Sequence, residues 1–337
     1  MRSFTYHRPA KFADAVKFTA SAALSPTEAS VQFLAGGTTI LDLMKLDTMR
    51  PEQLVDLNEA GKEYRSISHD RDELRLGAFV TMADAADDPL IRENYPMVAQ
   101  SLELAASPQI RNMATLGGNV LQRTRCNYFR DPSWPACNKR DRGTGCAALE
   151  GVNRKHAVLG TSHNCIAAYA GDFAQSLIAL DAIVEIIGKS DARQLAFADL
   201  HVAPGDKPER ETVLAPGDII AGFRIPHLPF ARRSLYLKIR DRESFEFALA
   251  SAAVALDLDD KKVREARIAL GGVATRPWRA REAEAVLKSK TLNDDAMRHA
   301  AEAAFAQAKS HGQNDYKIEL GRRTLIRALR QAAAMEV

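Results

Sequence analysis

Short apolar runs that break off at glycine or proline set the rhythm of the first two thirds of the chain. Residues 4–6 read as a strand and residues 14–22 as a helix. Residues 31–37, VQFLAGG, are an apolar run ending on two glycines, which predicts a strand entering a tight loop. Residues 38–45 recur at helical spacing, and residues 54–57 form another strand between Pro51 and the break Asn58-Glu59-Ala60-Gly61. A second unit follows: a strand at 74–78, a helix N-capped by Thr81, and helical spacing over 97–106. Residues 176–187 mix helix and strand signals, and residues 203–218, rich in proline and glycine, read as a loop. Past the break Leu228-Pro229-Phe230 the pattern changes. Strands are expected at 234–239, 247–258 and 264–270, then alanine-rich helices at 292–309 and 318–335. The whole reads as three α/β or α+β units.

Composition narrows the function classes. A chain of 337 residues with 46% hydrophobic content exceeds a single core. Its 46 basic and 43 acidic residues leave a net charge of +3, which makes no electrostatic case for nucleic acid. No apolar run approaches the ~20 residues of a membrane span. Residues 1–15 show neither a basic start before an apolar stretch nor a twin-arginine pair, so no secretory signal is expected on this chain. Four cysteines are too few for a disulfide scaffold, yet all four fall between residues 126 and 165.

Two segments share a design in sequence: Ala35-Gly36-Gly37-Thr38-Thr39 and Thr115-Leu116-Gly117-Gly118-Asn119. Each brings two glycines among hydroxyl or amide side chains. Glycine permits close approach and positive φ, and consecutive free N–H groups make a nest for an anion. Together the loops suit the two phosphates of a dinucleotide; singly, each is a tight turn. Neither matches the Rossmann pattern G-x-G-x-x-G.

The cysteines are spaced C-x10-C-x8-C-x18-C, unlike a zinc-ribbon pair or a compact ferredoxin run. Four thiolates suffice for one [4Fe-4S] cluster or one structural zinc, and His156 and His163 lie in the same segment. Residues 121–165 carry a local net charge of +5, which suits an anionic thiolate cluster and suggests a partner-docking surface through Arg123, Arg140 and Arg142.

The ordered motifs FLAGGTTILDLMK (Phe33 to Lys45), QIRNMATLGGNVLQRTRC (Gln109 to Cys126), CNKR, GCAALEG and RKHAVLGTSHNCIA resemble the FAD-binding subunits of molybdenum hydroxylases, the xanthine dehydrogenase family. The subtype resembled is the FAD/[4Fe-4S] subunit of bacterial periplasmic aldehyde oxidoreductases. The resemblance implies an α+β fold: a PCMH-type FAD-binding domain over 1–228, with subdomains 1–60 and 61–228 and a cysteine-rich insertion at 122–166. A C-terminal domain of the CO dehydrogenase flavoprotein type would follow over 229–337. It implies FAD contacts from Phe33, Leu34, Ala35, Gly36, Gly37, Thr38, Thr39, Ile40 and Leu41, from Thr115, Gly118 and Asn119, and from Asp172, Ile220 and Lys238. Cys126, Cys137, Cys146 and Cys165 would ligate the cluster. No residue is assigned as a catalytic acid or base. Implied partners are a small [2Fe-2S] subunit, a large subunit with the molybdenum cofactor, and an external electron acceptor. The compartment implied is the periplasm, by co-export with a signal-bearing partner, with the cytoplasm as alternative. Two other readings stand beside it: a subunit of a 4-hydroxybenzoyl-CoA-reductase-type enzyme, and a zinc-stabilised binding module without redox function.

Overall fold

The computed structural model describes residues 1–19, 25–189 and 191–337. Three sheets organise the chain. Strands β1 (Thr5–His7), β2 (Val31–Leu34) and β3 (Gln53–Asp56) form a parallel sheet in the order β1-β3-β2. An antiparallel sheet of order β4-β5-β8-β6-β7 comprises β4 (Ile67–His69), β5 (Glu73–Gly77), β6 (Ile183–Ile187), β7 (Ala192–Ala196) and β8 (Ile219–Pro226). The third, β12-β11-β10-β9, is antiparallel and built from β9 (Ser234–Ile239), β10 (Ala250–Asp259), β11 (Lys262–Gly271) and β12 (Trp278–Arg279). The α+β expectation holds.

Strand β10 joins the two main cores, and its sequence explains how. Successive side chains on a strand point to opposite faces. Ala253 and Ala255 belong to the core of the first two thirds of the chain, whereas Ala252, Val254 and Leu256 belong to the C-terminal core. With both faces covered, the strand reads as a continuous apolar run. The helices Asp294–Ala304 and Tyr316–Ala333 close the outer face, near the expected 292–309 and 318–335.

The mixed signal over 176–187 resolves into two elements. The helix Phe173–Ala179 ends, Asp181 adopts a left-handed φ of 50°, and β6 begins at Ile183. Over 14–22 the structure shows a single turn, Phe12–Ala15, then the 3-10 turn Val16–Phe18; residues 20–22 lie outside the described residues. Thr81 caps its helix as expected, its hydroxyl accepting from the Asp84 amide at 3.1 Å.

Lys317, on the terminal helix, is fully buried and donates to the carbonyls of Lys155, His156 and Gly272 at 3.2, 3.1 and 2.6 Å. It fastens the cysteine-rich stretch to the C-terminal domain. Burial, and secondarily Arg154 and Lys155, pull its pKa down to about 7.

Gly321 on the same helix decides between two opposed effects. Alanine normally favours a helix interior by ~1 kcal/mol over glycine. Here an added Cβ would meet the Phe305 ring at 2.2 Å, and Phe305 is itself buried. Gly321→Ala is therefore expected to destabilise the chain by roughly 1–3 kcal/mol in urea unfolding, the cost of overpacking; a gain in stability would contradict this packing.

Candidate functional site

The first glycine loop lines a cavity of about 970 Å³. That reaches the upper end of small-ligand pockets, roughly 300–1,000 Å³. Strand β2 delivers the loop, and the helix Ile40–Lys45 starts from it. Gly36 is required for packing, because a Cβ would fall 1.9 Å from the Met113 carbonyl of the segment leading to the second loop. Gly37 is required for conformation, with φ of 76°. Asn58 fixes the entry: its side-chain amide donates to the Ala35 carbonyl at 2.9 Å and to Asp56 at 2.7 Å. Among the described residues, the amides of Gly36, Gly37, Thr38, Thr39 and Ile40 donate to no protein acceptor. Five successive unpaired donors on a cavity wall form an anion nest. The helix is a single turn and a half long, so these amides, rather than a macrodipole, supply the positive potential. Leu34 and Leu41 pack beneath Gly37 and do not line the cavity.

The second loop works differently, despite its similar sequence. Its amides are already paired: Leu116 with Val80 O, Gly117 with Ala78 O, Gly118 with the Thr115 hydroxyl at 3.2 Å, and Asn119 with Thr115 O. Thr115 is the N-cap of the helix Leu116–Val120. Thr115 and Gly118 line the cavity and offer it a hydroxyl proton and bare backbone. Asn119 is buried behind them, its side-chain amide against the Met82 sulfur at 3.3 Å. Ile220, on β8, contributes an apolar wall.

The four cysteines all line a second, small cavity of about 10 Å³, the room of roughly one water. All four are free thiols. Backbone pairing of Cys137 with Cys146 folds the segment back on itself. The lining holds no carboxylate and no histidine. Burial pushes the Cys126 thiol up to about 12 and the Cys137 and Cys146 thiols in the same direction, which is wrong for a nucleophile at neutral pH. His156 Nε2 lies 3.2 Å from the Cys126 sulfur, and burial lowers its pKa to about 4. His163 is exposed. Among the described residues no three His, Cys, Asp or Glu side chains are grouped to hold a metal ion.

The basic residues of this segment correct the docking expectation. Arg123 and Arg140 are 9% and 6% exposed and cannot form a surface. Arg140 donates to the carbonyls of Tyr128, Phe129, Asp131 and Trp134, and the Thr27 hydroxyl donates to Arg140 O at 2.8 Å. Arg125 and Arg130 reach Asp42, on the helix that leaves the first glycine loop, at 3.0 and 2.9 Å. Only Arg142 of the three docking candidates is exposed.

The two cavities share a wall. Cys165, Ala167 and Lys139 line both. Sequence reasoning missed Lys139, Arg123, Glu211 and His201 as a group, because Glu211 and His201 arrive from the distant stretch around 201–211. Asp172 and Lys238 line neither cavity. They form a buried ion pair at 2.7 Å between the two cores, with Tyr236 donating to Asp172 at 2.6 Å and Lys238 to Leu104 O at 2.9 Å.

Two outcomes follow from this geometry. Gly36→Ala should displace the first loop from Met113 and abolish anion binding by the nest while leaving most of the fold; retained binding would contradict the nest. Asp42 is raised by burial but held below the usual carboxylate range by Arg130 and Arg125. Its folded pKa is thus depressed, so its stabilisation is complete above ~4, the unfolded carboxylate value, and fades as pH falls through the folded value. Asp42→Asn should destabilise the chain at pH 7 by on the order of 1 kcal/mol, seen as a lower melting temperature, and the gap to the wild type should close as pH falls below the ordinary carboxylate range.

Comparison with known proteins agrees with this architecture. Residues 2–228 match the family model of the FAD binding domain in molybdopterin dehydrogenase, and residues 235–332 match the CO dehydrogenase flavoprotein C-terminal domain. The chain is 41% identical to the aldehyde oxidoreductase FAD-binding subunit of Escherichia coli K12 over 99% of each chain. It is 29% identical to the carbon monoxide dehydrogenase medium chain of Afipia carboxidovorans, over 98% of this chain and 97% of that one. The solved structure of reconstituted CO dehydrogenase from Oligotropha carboxidovorans superimposes with a TM-score of 0.75 at 26% identity, covering 99% of both chains. The chain therefore belongs to the FAD-binding subunits of the molybdopterin dehydrogenases.

Proposed function

We propose that this chain holds FAD in its large cavity and a [4Fe-4S] cluster on Cys126, Cys137, Cys146 and Cys165. In this reading it is the electron-transfer subunit of a heterotrimeric, molybdenum-containing aldehyde oxidoreductase, placed between a small [2Fe-2S] subunit and an external acceptor. The aldehyde would be oxidised on a large molybdopterin subunit. The observation that carries the proposal is the set of four free thiols on one carboxylate-free cavity that adjoins the flavin cavity. The 41% identity to an aldehyde oxidoreductase subunit supports the substrate class.

The chain's residues divide the work. The five open amides from Gly36 to Ile40 and the hydroxyls of Thr38 and Thr39 would hold the diphosphate. Thr115 and Gly118 would meet it from the other side, and Ile220 excludes water from the cavity wall. The bound flavin supplies the electron-carrying chemistry; the protein supplies position and field. For the thiols, a single zinc ion would need four sulfurs at ~2.3 Å from one point. The thiols offer a sulfur-only donor set, and the cavity they line, with room for about one water, would have to widen to take a cluster.

An anaerobic absorption spectrum with iron and sulfide analysis tests the proposal. The expected protein is yellow-brown, with iron and acid-labile sulfide in equal amounts. Cys165→Ser should keep the flavin bands and lose the iron. A colourless protein, or zinc without sulfide, would overturn the reading.

A further inference from the structure

Three charged side chains meet in the wall between the two cavities. Lys139 and Arg123 are 8% and 9% exposed. Glu211 stands between them: Lys139 Nζ lies 3.2 Å from its Oε1, and the Arg123 guanidinium pairs with its other oxygen. Lys139 also donates to Pro208 O at 2.9 Å, which ties down the loop 203–218. Arg123 lies over the Phe129 ring at 4.9 Å, and Phe129 lines the cysteine cavity. All three charged residues line the flavin cavity, and Lys139 lines both.

This arrangement is costly for a purely structural wall. Buried ion sets are often no more stable than apolar side chains of the same volume. Here two cations share one anion, leaving one unit of positive charge uncompensated. Of the other charges on the flavin cavity, Glu209 stands apart from the three, 3.9 Å from Arg142, and Asp218 pairs with Arg193, while Glu28, Lys207 and Arg210 are exposed and screened by solvent. A charge in a poorly solvated wall acts strongly over short distances. Both cavities face it, and a flavin and a thiolate-bound cluster each gain negative charge on reduction. Net local charge is one of the determinants of cluster potential.

We propose that Lys139, Arg123 and Glu211 form a shared electrostatic element that raises the reduction potentials of both groups together and keeps them matched. Lys139 is its central positioning residue. The cluster half rests on the function proposed above; the flavin half requires only that FAD occupies the large cavity.

The test is an anaerobic spectroelectrochemical titration of the purified complex as wild type, Lys139→Met, Lys139→Arg and Glu211→Gln. Lys139→Met removes positive charge and should shift the midpoint potentials of the flavin and the cluster to more negative values, by about tenfold in each redox equilibrium. Glu211→Gln removes negative charge and should shift both to more positive values. Lys139→Arg should restore wild-type behaviour. Shifts of Lys139→Met and Glu211→Gln in the same direction would show a merely structural wall and overturn the proposal, as would unshifted potentials in folded protein. If Lys139→Met fails to fold, the sign of the Glu211→Gln shift and the behaviour of Lys139→Arg decide. Absence of a [4Fe-4S] transition from the titration would sink the cluster assignment alone, leaving the flavin shifts to decide this proposal.

Discussion

Buried backbone carbonyls must find donors, and an irregular segment cannot supply them from its own ladder. That constraint governs the stretch from residue 121 to 165. Arg140 answers it with one guanidinium shared among the carbonyls of Tyr128, Phe129, Asp131 and Trp134. Lys317 does the same from the opposite side for Lys155, His156 and Gly272. A planar fork or an ammonium with several donors is suited to this, because one side chain satisfies several acceptors. Within the segment Arg140 and Lys139 donate to backbone carbonyls, while Arg123, Arg125, Arg130, Arg154 and Lys155 pair with carboxylates. Once these cations are fixed, the four thiols are carried onto one cavity and the wall toward the flavin cavity is set.

The same segment reaches into the flavin site through Asp42. Arg125 and Arg130 hold the helix that begins on the first glycine loop, while Met113, just before the second loop, leaves no room for a Cβ at Gly36. The nest, the capped second loop and the cysteine cavity are therefore one mechanical unit. The C-terminal domain completes it by two buried contacts: the alternating faces of β10, and the Asp172–Lys238 pair.

Local signals were legible in the sequence wherever the chemistry is local. The run VQFLAGG foretold β2 and the loop after it, Thr81 its cap, and the alanine-rich stretches the terminal helices. The clustering of four cysteines predicted that they act as one ligand set, and all four line one cavity. What stayed hidden depends on distant partners. The two glycine pairs look alike in sequence, yet one leaves its amides open and the other spends them on Ala78, Val80 and Thr115. Arg123 and Arg140 read as surface charge because nothing nearby in sequence announces Glu211 or the carbonyls that bury them. Strand β7 was missed because its alternation, half exposed along an edge, is weak without its partner β6.

The central claim is that the four cysteines, held by these cations, surround an iron–sulfur cluster next to the flavin. Anomalous diffraction from crystals of the complex, at the iron and zinc absorption edges, measures this directly. The account predicts a strong iron peak enclosed by Cys126, Cys137, Cys146 and Cys165, adjoining flavin density across Lys139. A peak at that place only at the zinc edge, or no metal peak among the four sulfurs, would contradict it.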